Sequence, residues 1–168
     1  MQRLFPTLAA LALMSPALAI ADDAHFPPRR PGLWEANVNM GAGIIKTKQC
    51  VDHATDQAMM MRGFDVVKKR GGTISITGGG NRFQVTTVMT ISGHTITSTE
   101  DLVFVSDAVI QGRGHIQVTP PFPGGAMPNA NTTNDSKWVS ACPAGLKPGQ
   151  AIVNGHTIDL MTHTEVGK

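Results

Sequence analysis

Residues 82–105 read RFQVTTVMTISGHTITSTEDLVFV, and the fold class turns on them. The stretch holds two runs, Arg82–Ile91 and His94–Val105, both rich in Thr and Val, with Ile. Such residues favour strands, because branched side chains suit a pleated surface. Only Ser92-Gly93 separates the runs. Parallel strands need a crossover of a dozen or more residues, so this pair is antiparallel.

Working outward, the same grammar continues on both sides. Upstream, Thr73–Thr77 precedes Gly78-Gly79-Gly80-Asn81, a strong turn signal. Downstream, a turn near Ser106-Asp107 leads to Ala108–Thr119. Gly112 and Gly114 inside that run suggest a bulge or a sharp bend. Pro120–Asn134 (PPFPGGAMPNANTTN) reads as a long loop, because proline breaks both helix and ladder. Its Asn131-Thr132-Thr133 sequon reads as polar loop. Ser136–Ala141 is a further strand, and Asn154-Gly155 joins Ala151–Val153 to His156–Leu160 as a small hairpin.

Near the start, Leu33–Met40 alternates, with Trp34, Ala36, Val38 and Met40 on one face. Ile44–Val51 returns. Two registers are open. A three-residue loop pairs Trp34 with Cys50 and turns Lys46 and Lys48 inward. A four-residue loop turns the lysines and Cys50 outward and Ile45, Thr47, Gln49 and Val51 inward. A one-residue slip exchanges the faces, so the alternation does not choose. Asp52–Phe64 breaks period two, with Ala54, Ala58 and Met61 at helical spacing, Asp52 as cap and Gly63 as terminator. Lys68-Lys69-Arg70 reads as a solvated loop. The expected fold is therefore all-β: a single antiparallel meander forming a strongly curved sheet or partly closed barrel, with one short helix after the first hairpin.

The first 21 residues, MQRLFPTLAALALMSPALAIA, have the order of a secretory signal peptide. Arg3 is followed by a short apolar core and then by small residues at the cleavage point. Cleavage is expected after Ala21 or Ala19. The apolar run is short of the roughly 20 residues that span a bilayer, and no cysteine at the junction invites a lipid anchor. Residues 22–30 read as a flexible lead-in and residues 31–168 as a single β-rich domain. Without Arg3 the chain carries 13 Lys+Arg against 12 Asp+Glu, a formal charge of +1. Scattered basic residues do not indicate nucleic acid.

Cys50 and Cys142 are the chain's two cysteines. In an exported chain two cysteines most often form one disulfide. Closing a loop of about 90 residues would stabilise by roughly 4–5 kcal/mol in the chain-entropy picture. A bond here would staple the two ends of the sheet, with Trp34 and Trp138 covering the same seam. The thiols lack an evident activating base, and a zinc or copper thiolate would need more ligands.

No catalytic constellation emerges. Glu100 and Asp101 are adjacent on a strand and face opposite sides, so they cannot serve one substrate as acid and base. Ile91-Ser92-Gly93 lacks the first glycine of a nucleophile elbow. Gly78-Gly79-Gly80 is not followed by the lysine of a phosphate loop. His53 and Asp56 could share a metal, but two ligands do not make a site. His94 and His115 lie on neighbouring strands, either four positions out of step or on opposite faces. Met59-Met60-Met61 on a helix point in three directions and cannot all be core. Soft thioethers give them a copper reading, and adaptable core filler is the plainer one.

RPGLWEANVNM (residues 30–40), KTKQC ending at Cys50, and KWVSACPAGLKPGQAIVNGHTIDL (residues 137–160) resemble the bacterial exported domain-of-unknown-function family 3617. The resemblance covers nearly the whole chain beyond the leader. It implies export and a β-rich fold, and it brings no catalytic residues. Many relatives carry a second, central cysteine pair, near Lys69-Arg70 and Met89 here. Its joint absence implies that Cys50 and Cys142 are bonded to each other.

The expectation is a small, soluble, periplasmic, monomeric β-protein without cofactor or catalytic activity. It would bind a small hydrophobic ligand or an envelope protein on the concave side of its sheet, the helix and proline loop bordering the mouth. The alternative is a periplasmic soft-metal (copper) binding protein using Met and His ligands.

Overall fold

The computed structural model describes residues 24–41, 43–125, 129–162 and 164–167. The leader expected at 1–21 and its cleavage points lie outside them. In chain order the elements are β1 (Gly32–Asn39), β2 (Ile44–Val51), α1 (Asp56–Lys69), β3 (Thr73–Gly79), β4 (Arg82–Ile91), β5 (His94–Ser106), β6 (Val109–Thr119), β7 (Ala130–Ser140), β8 (Gln150–Val153), β9 (His156–Asp159) and β10 (Thr164–Glu165). They form one antiparallel sheet in the order β10-β9-β8-β2-β1-β7-β6-β5-β4-β3. The sheet is not closed. Strands β3 to β7 are the meander expected from sequence, and β1 slots between β7 and β2.

That topology explains where α1 lies. The chain leaves β2 and must reach β3, six strand spacings away. Flat, that is roughly 29 Å at about 4.8 Å per step. The 14-residue helix is roughly 21 Å long at 1.5 Å per residue. A curved sheet shortens the chord, and the helix crosses its concave side. One apolar cluster accordingly joins Val51 of β2, Trp34 of β1 and Ile76 of β3 with Met59 of α1. Phe26, Phe83 and Phe104 meet inside it with ring centroids 4.9–5.9 Å apart.

The first hairpin adopts the four-residue loop, since Trp34 pairs with Gln49 and Asn39 with Ile44. Lys46, Lys48 and Cys50 therefore face outward. Cys50 is nonetheless fully buried, because Leu146 of the segment after β7 packs over it. Cys50 and Cys142 are disulfide-bonded, with Cα atoms 5.6 Å apart. The bond does not staple the ends of the sheet. It bridges across β1, in the middle of the strand order. Trp34 and Trp138 do lie directly opposite on that seam, but on the inner face, away from the disulfide. Their indole N–H groups donate to the carbonyls of Arg30 and Pro31. Gly32 in PGLWE has φ +134°, and a Cβ there would strike the Ser140 carbonyl and the Trp138 indole. The glycine lets β7 approach.

Several expectations are corrected. The helix starts at Asp56, because Asp52 caps a preceding turn by accepting from the Thr55 hydroxyl and N–H. Those bonds hold the Asp52 carboxyl below its ordinary pKa. Gly63 lies inside the helix, which runs on to Lys69. It ends where Gly71 N–H bonds to Lys68 O and Gly72 N–H to Val67 O, with Gly71 at φ +72°. Lys68 and Lys69 are therefore the last turn of α1, not a loop, and their charge suits the helix C-terminus. Residues 130–134, expected in a loop, begin β7. The ladder partners and not local propensity decide this: Asn134 pairs with both Gly112 and Val38. The β5–β6 register runs through Gly112 and Gly114 without a bulge; its irregularity is at Phe104/Ser106. The lead-in is not loose over Phe26 and Arg29, which are 5 % exposed.

Candidate ligand-binding cleft

Two anchors fix α1 over the sheet. At its start, the Arg29 main-chain N–H donates to Asp56 Oδ2 at 2.7 Å, and Arg29 Nε donates to Oδ1 at 2.6 Å. Both residues are buried. Breaking such a pair by removing one partner typically costs about 3–5 kcal/mol. Further along, the Arg62 guanidinium donates to the carbonyls of Leu160 and Met161 and pairs with Asp65. The helix is thus strapped at one end to the segment before β1 and farther on to the segment after β9.

Beside these anchors the helix does not close fully on the sheet. A cavity of about 300 Å³ remains. Its helix side is Met59, Met60, Gly63 and Phe64; its sheet side includes Ala36, Val38, Leu102 and Ile110. Polar groups interrupt this apolar lining at Arg29, Thr47, Gln49, Glu100, Asn134 and Ser136. The cavity is at the small end of ligand sites, with their mix of apolar wall and a few placed polar groups.

Two of these polar groups are unusual. Arg29 donates from Nη1 to Gln49 Oε1 at 3.4 Å, and its guanidinium lies 5.4 Å from the Trp34 ring. Its Nη2 is buried without a hydrogen-bond partner among the described residues. A buried unsatisfied donor is costly and rare. Glu100 is the second. It lies on the inward-facing set of β5, in phase with Ile96, Leu102 and Phe104. Burial pushes its carboxyl above the ordinary range, and a hydrogen bond from Asn134 opposes this only in part. Asn134 is itself held by the Ser136 hydroxyl. On the neighbouring strand a Cβ at Gly112 would collide with Glu100 Oε1. The glycine read as a bend is in fact the seat of a half-buried carboxyl.

Gly63 completes the cleft. It is exposed, and a Cβ there would meet nothing within 4 Å. Glycine in a helix interior costs about 1 kcal/mol relative to alanine. Here it leaves the helix side of the cleft open.

The groups singled out from sequence fare unequally. Glu100 and Asp101 do face opposite sides, Asp101 accepting from Gln84 on the outer face. Asp56 is committed to Arg29, so the His53–Asp56 pairing loses its carboxylate. With Thr99 opposite His115 and Thr95 opposite Thr119, His94 and His115 fall on opposite faces. His94 contacts the Pro120 carbonyl and stacks on Phe122, while His115 contacts Asn131. No cluster of three or more His, Cys, Asp or Glu suited to a metal occurs among the described residues. All three methionines touch the core, against expectation: Met59 is buried and Met60 and Met61 pack against it. The helix meets the lead-in at Ala24 and Arg29 and the segment after β9 at Leu160 and Met161 as well as the sheet, so more than one of its sides is covered. Of the stretch expected as a proline loop, Asn134, which the structure places in β7, lines the cleft; Phe122 packs instead on a separate cluster of Ile96, Ile116 and Val118.

Sequence reasoning passed over Arg29, Asn134 and the role of Gly63 and Gly112. The signal for Glu100 was present: a charge in phase with core positions of one strand.

No helix among the described residues is long and apolar enough to cross a membrane. Comparison with family models, curated proteins and solved structures finds no match to this chain.

Proposed function

We propose that this chain is an exported, periplasmic member of the domain-of-unknown-function family 3617, a monomeric, non-catalytic module that binds a small molecule between α1 and the concave side of the sheet. The observation that carries this reading is the 300 Å³ cavity left between α1 and the sheet, whose apolar wall is interrupted by a few polar groups including Glu100 and Asn134. The lining offers one carboxyl, Glu100, and no histidine or cysteine, which favours binding over acid–base or nucleophilic chemistry. The disulfide favours an oxidising compartment.

Native mass spectrometry of the protein isolated from periplasm tests the reading. A retained small organic mass is expected, and it should be absent from Gly63→Trp, in which the cleft is filled. Wild-type protein without any retained mass, and with melting unchanged across a small-molecule panel, would end it.

Met59 and Met60 both line the cleft, and this supports the copper reading as the second one. Titration with Cu(I) against a competing chelator separates the two. Binding no tighter than micromolar would remove the metal reading and leave the first untouched.

A further inference from the structure

The tip of the first hairpin is apolar on both of its faces. Met40 is 38 % exposed, Ile44 62 % and Ile45 41 %. The other large apolar side chains exposed among the described residues are Val66, Val105, Val139 and Val166, each on a different segment. Scattered apolar residues need no explanation, whereas a cluster marks a contact site. Asn39 pairs with Ile44, and the Met40 N–H reaches the Gly43 carbonyl across the turn. The ladder to β7 stops at Asn39 and the ladder to β8 at Thr47. Ile44, Ile45 and Lys46 therefore have β1 on one side and no paired strand on the other. Ile44 is in phase with the outward Lys46 and Ile45 with the inward Thr47, so the two isoleucines point to opposite faces.

The charge behind the tip is basic. Lys46 is exposed and has no ion partner among the described residues. Lys48 pairs with Glu35, and Asp135, opposite Asn37 on β7, pairs with Arg113. Lys46 thus carries the excess charge there. With Asn37, Lys48 and Asn154 it lines an outer cleft of about 540 Å³. Lys46 stands two residues from Ile44, roughly 7 Å at about 3.3 Å per residue.

We propose that this tip inserts into the surface of a bilayer containing anionic phospholipid, with Met40, Ile44 and Ile45 at the boundary of the acyl chains and Lys46 at the headgroup phosphates. A partner protein would cover one face of the hairpin and leave the other isoleucine in water. Lipid surrounds the tip and covers both. The spacing fits, because interfacial segments bury their apolar side about 5–10 Å deep, which leaves Lys46 level with the phosphates. Three apolar side chains and one excess charge make a reversible, peripheral contact. Neither isoleucine lines the cleft beneath α1, so this contact is independent of the binding reading above.

The test is flotation of the protein isolated from periplasm with two kinds of vesicle, phosphatidylcholine alone and equal parts phosphatidylcholine and phosphatidylglycerol. The mixed vesicles should carry the protein, the neutral ones should not, and high salt should release it. Ile44→Ser with Ile45→Ser should lower binding about tenfold with melting unchanged, since both side chains are exposed. Lys46→Gln should lower it about fivefold. Should the double variant melt early, Ile44→Trp supplies a second readout: its added indole emission should shift to the blue on mixed vesicles. Equal binding to both vesicles, binding to neither, a stable double variant that floats like wild type, or no emission shift overturns the insertion. So does sedimentation that finds wild type a dimer and the double variant a monomer, which would give the tip to a second copy of this chain.

Discussion

On the outer side of β1, Leu33 and the Cys50–Cys142 bridge are buried with Leu146 in an apolar cluster. On the inner side of the same strand, Ala36 and Val38 floor a cavity that holds Arg29, Gln49, Glu100 and Asn134. The first region is apolar and covalently closed. The second contains a donor without a partner among the described residues and a carboxyl that burial pushes toward its neutral form. One strand thus separates a place that only stabilises from a place where stability has been given up. Unsatisfied buried polarity is what selection for stability alone removes, so the contrast points to the inner face as the site of function.

Substitutions on the two sides should therefore behave differently. The largest effect belongs to the outer seam. Cys50→Ser with Cys142→Ser opens a loop of sequence separation 92 and should lower unfolding free energy by about 4–5 kcal/mol. Urea denaturation of the double variant checks this, and ligand affinity per folded molecule should not change. Free-thiol labelling of the unreduced, unfolded wild type should find no thiol. Next comes the anchor of α1. Asp56→Ala leaves the Arg29 guanidinium buried and uncompensated and should cost about 3–5 kcal/mol. Unlike the seam variant, it should also abolish binding, because Arg29 loses its orientation. A variant that melts early but binds normally would show that the pair is structural alone.

On the inner side some substitutions should stabilise. Gly63→Ala should raise stability by about 1 kcal/mol, since its Cβ meets open space. Thermal melting reads it. No gain would mean that the backbone there is not free helix. The smallest effect is one of sign. Because the Glu100 carboxyl is raised in the folded state, that state holds a proton which the unfolded chain releases. Stability then falls as pH rises from the ordinary carboxyl value through the raised one, and the penalty is full above it. Glu100→Gln should match wild type in acid and exceed it at neutral pH and above. Melting curves that stay parallel across pH would remove the Glu100 carboxyl from the comparison.

The outer seam was largely readable from the chain, and the inner cleft was not. Two cysteines with PGLWE and KWVSACP pointed to the bond and to the tryptophan pair. They did not say that disulfide and tryptophans take opposite faces, because the hairpin's loop length sets that parity and the alternation allows either. Arg29 lies in a proline-bearing, polar stretch with no period, so nothing local marks it as buried. Residues 130–134 have loop composition, and pairing with β1 and β6 makes them strand. Gly112 and Gly63 are ambiguous letters: one clears space for a carboxyl across a ladder and the other leaves a helix face open. Neither role is visible without the neighbour.

Period two, turn residues and short connections were enough to specify the strands of β3 to β6 and their antiparallel pairing, because those choices depend on neighbours a few residues away. Contacts between distant segments decided the rest. The helix crosses the concave side because β3 lies six strands from β2, the lead-in folds inward because Arg29 finds Asp56, and a cavity persists beside a helix anchored at Asp56 and at Arg62. Such arrangements depend on which remote surfaces meet, and no local pattern in the chain encodes that meeting.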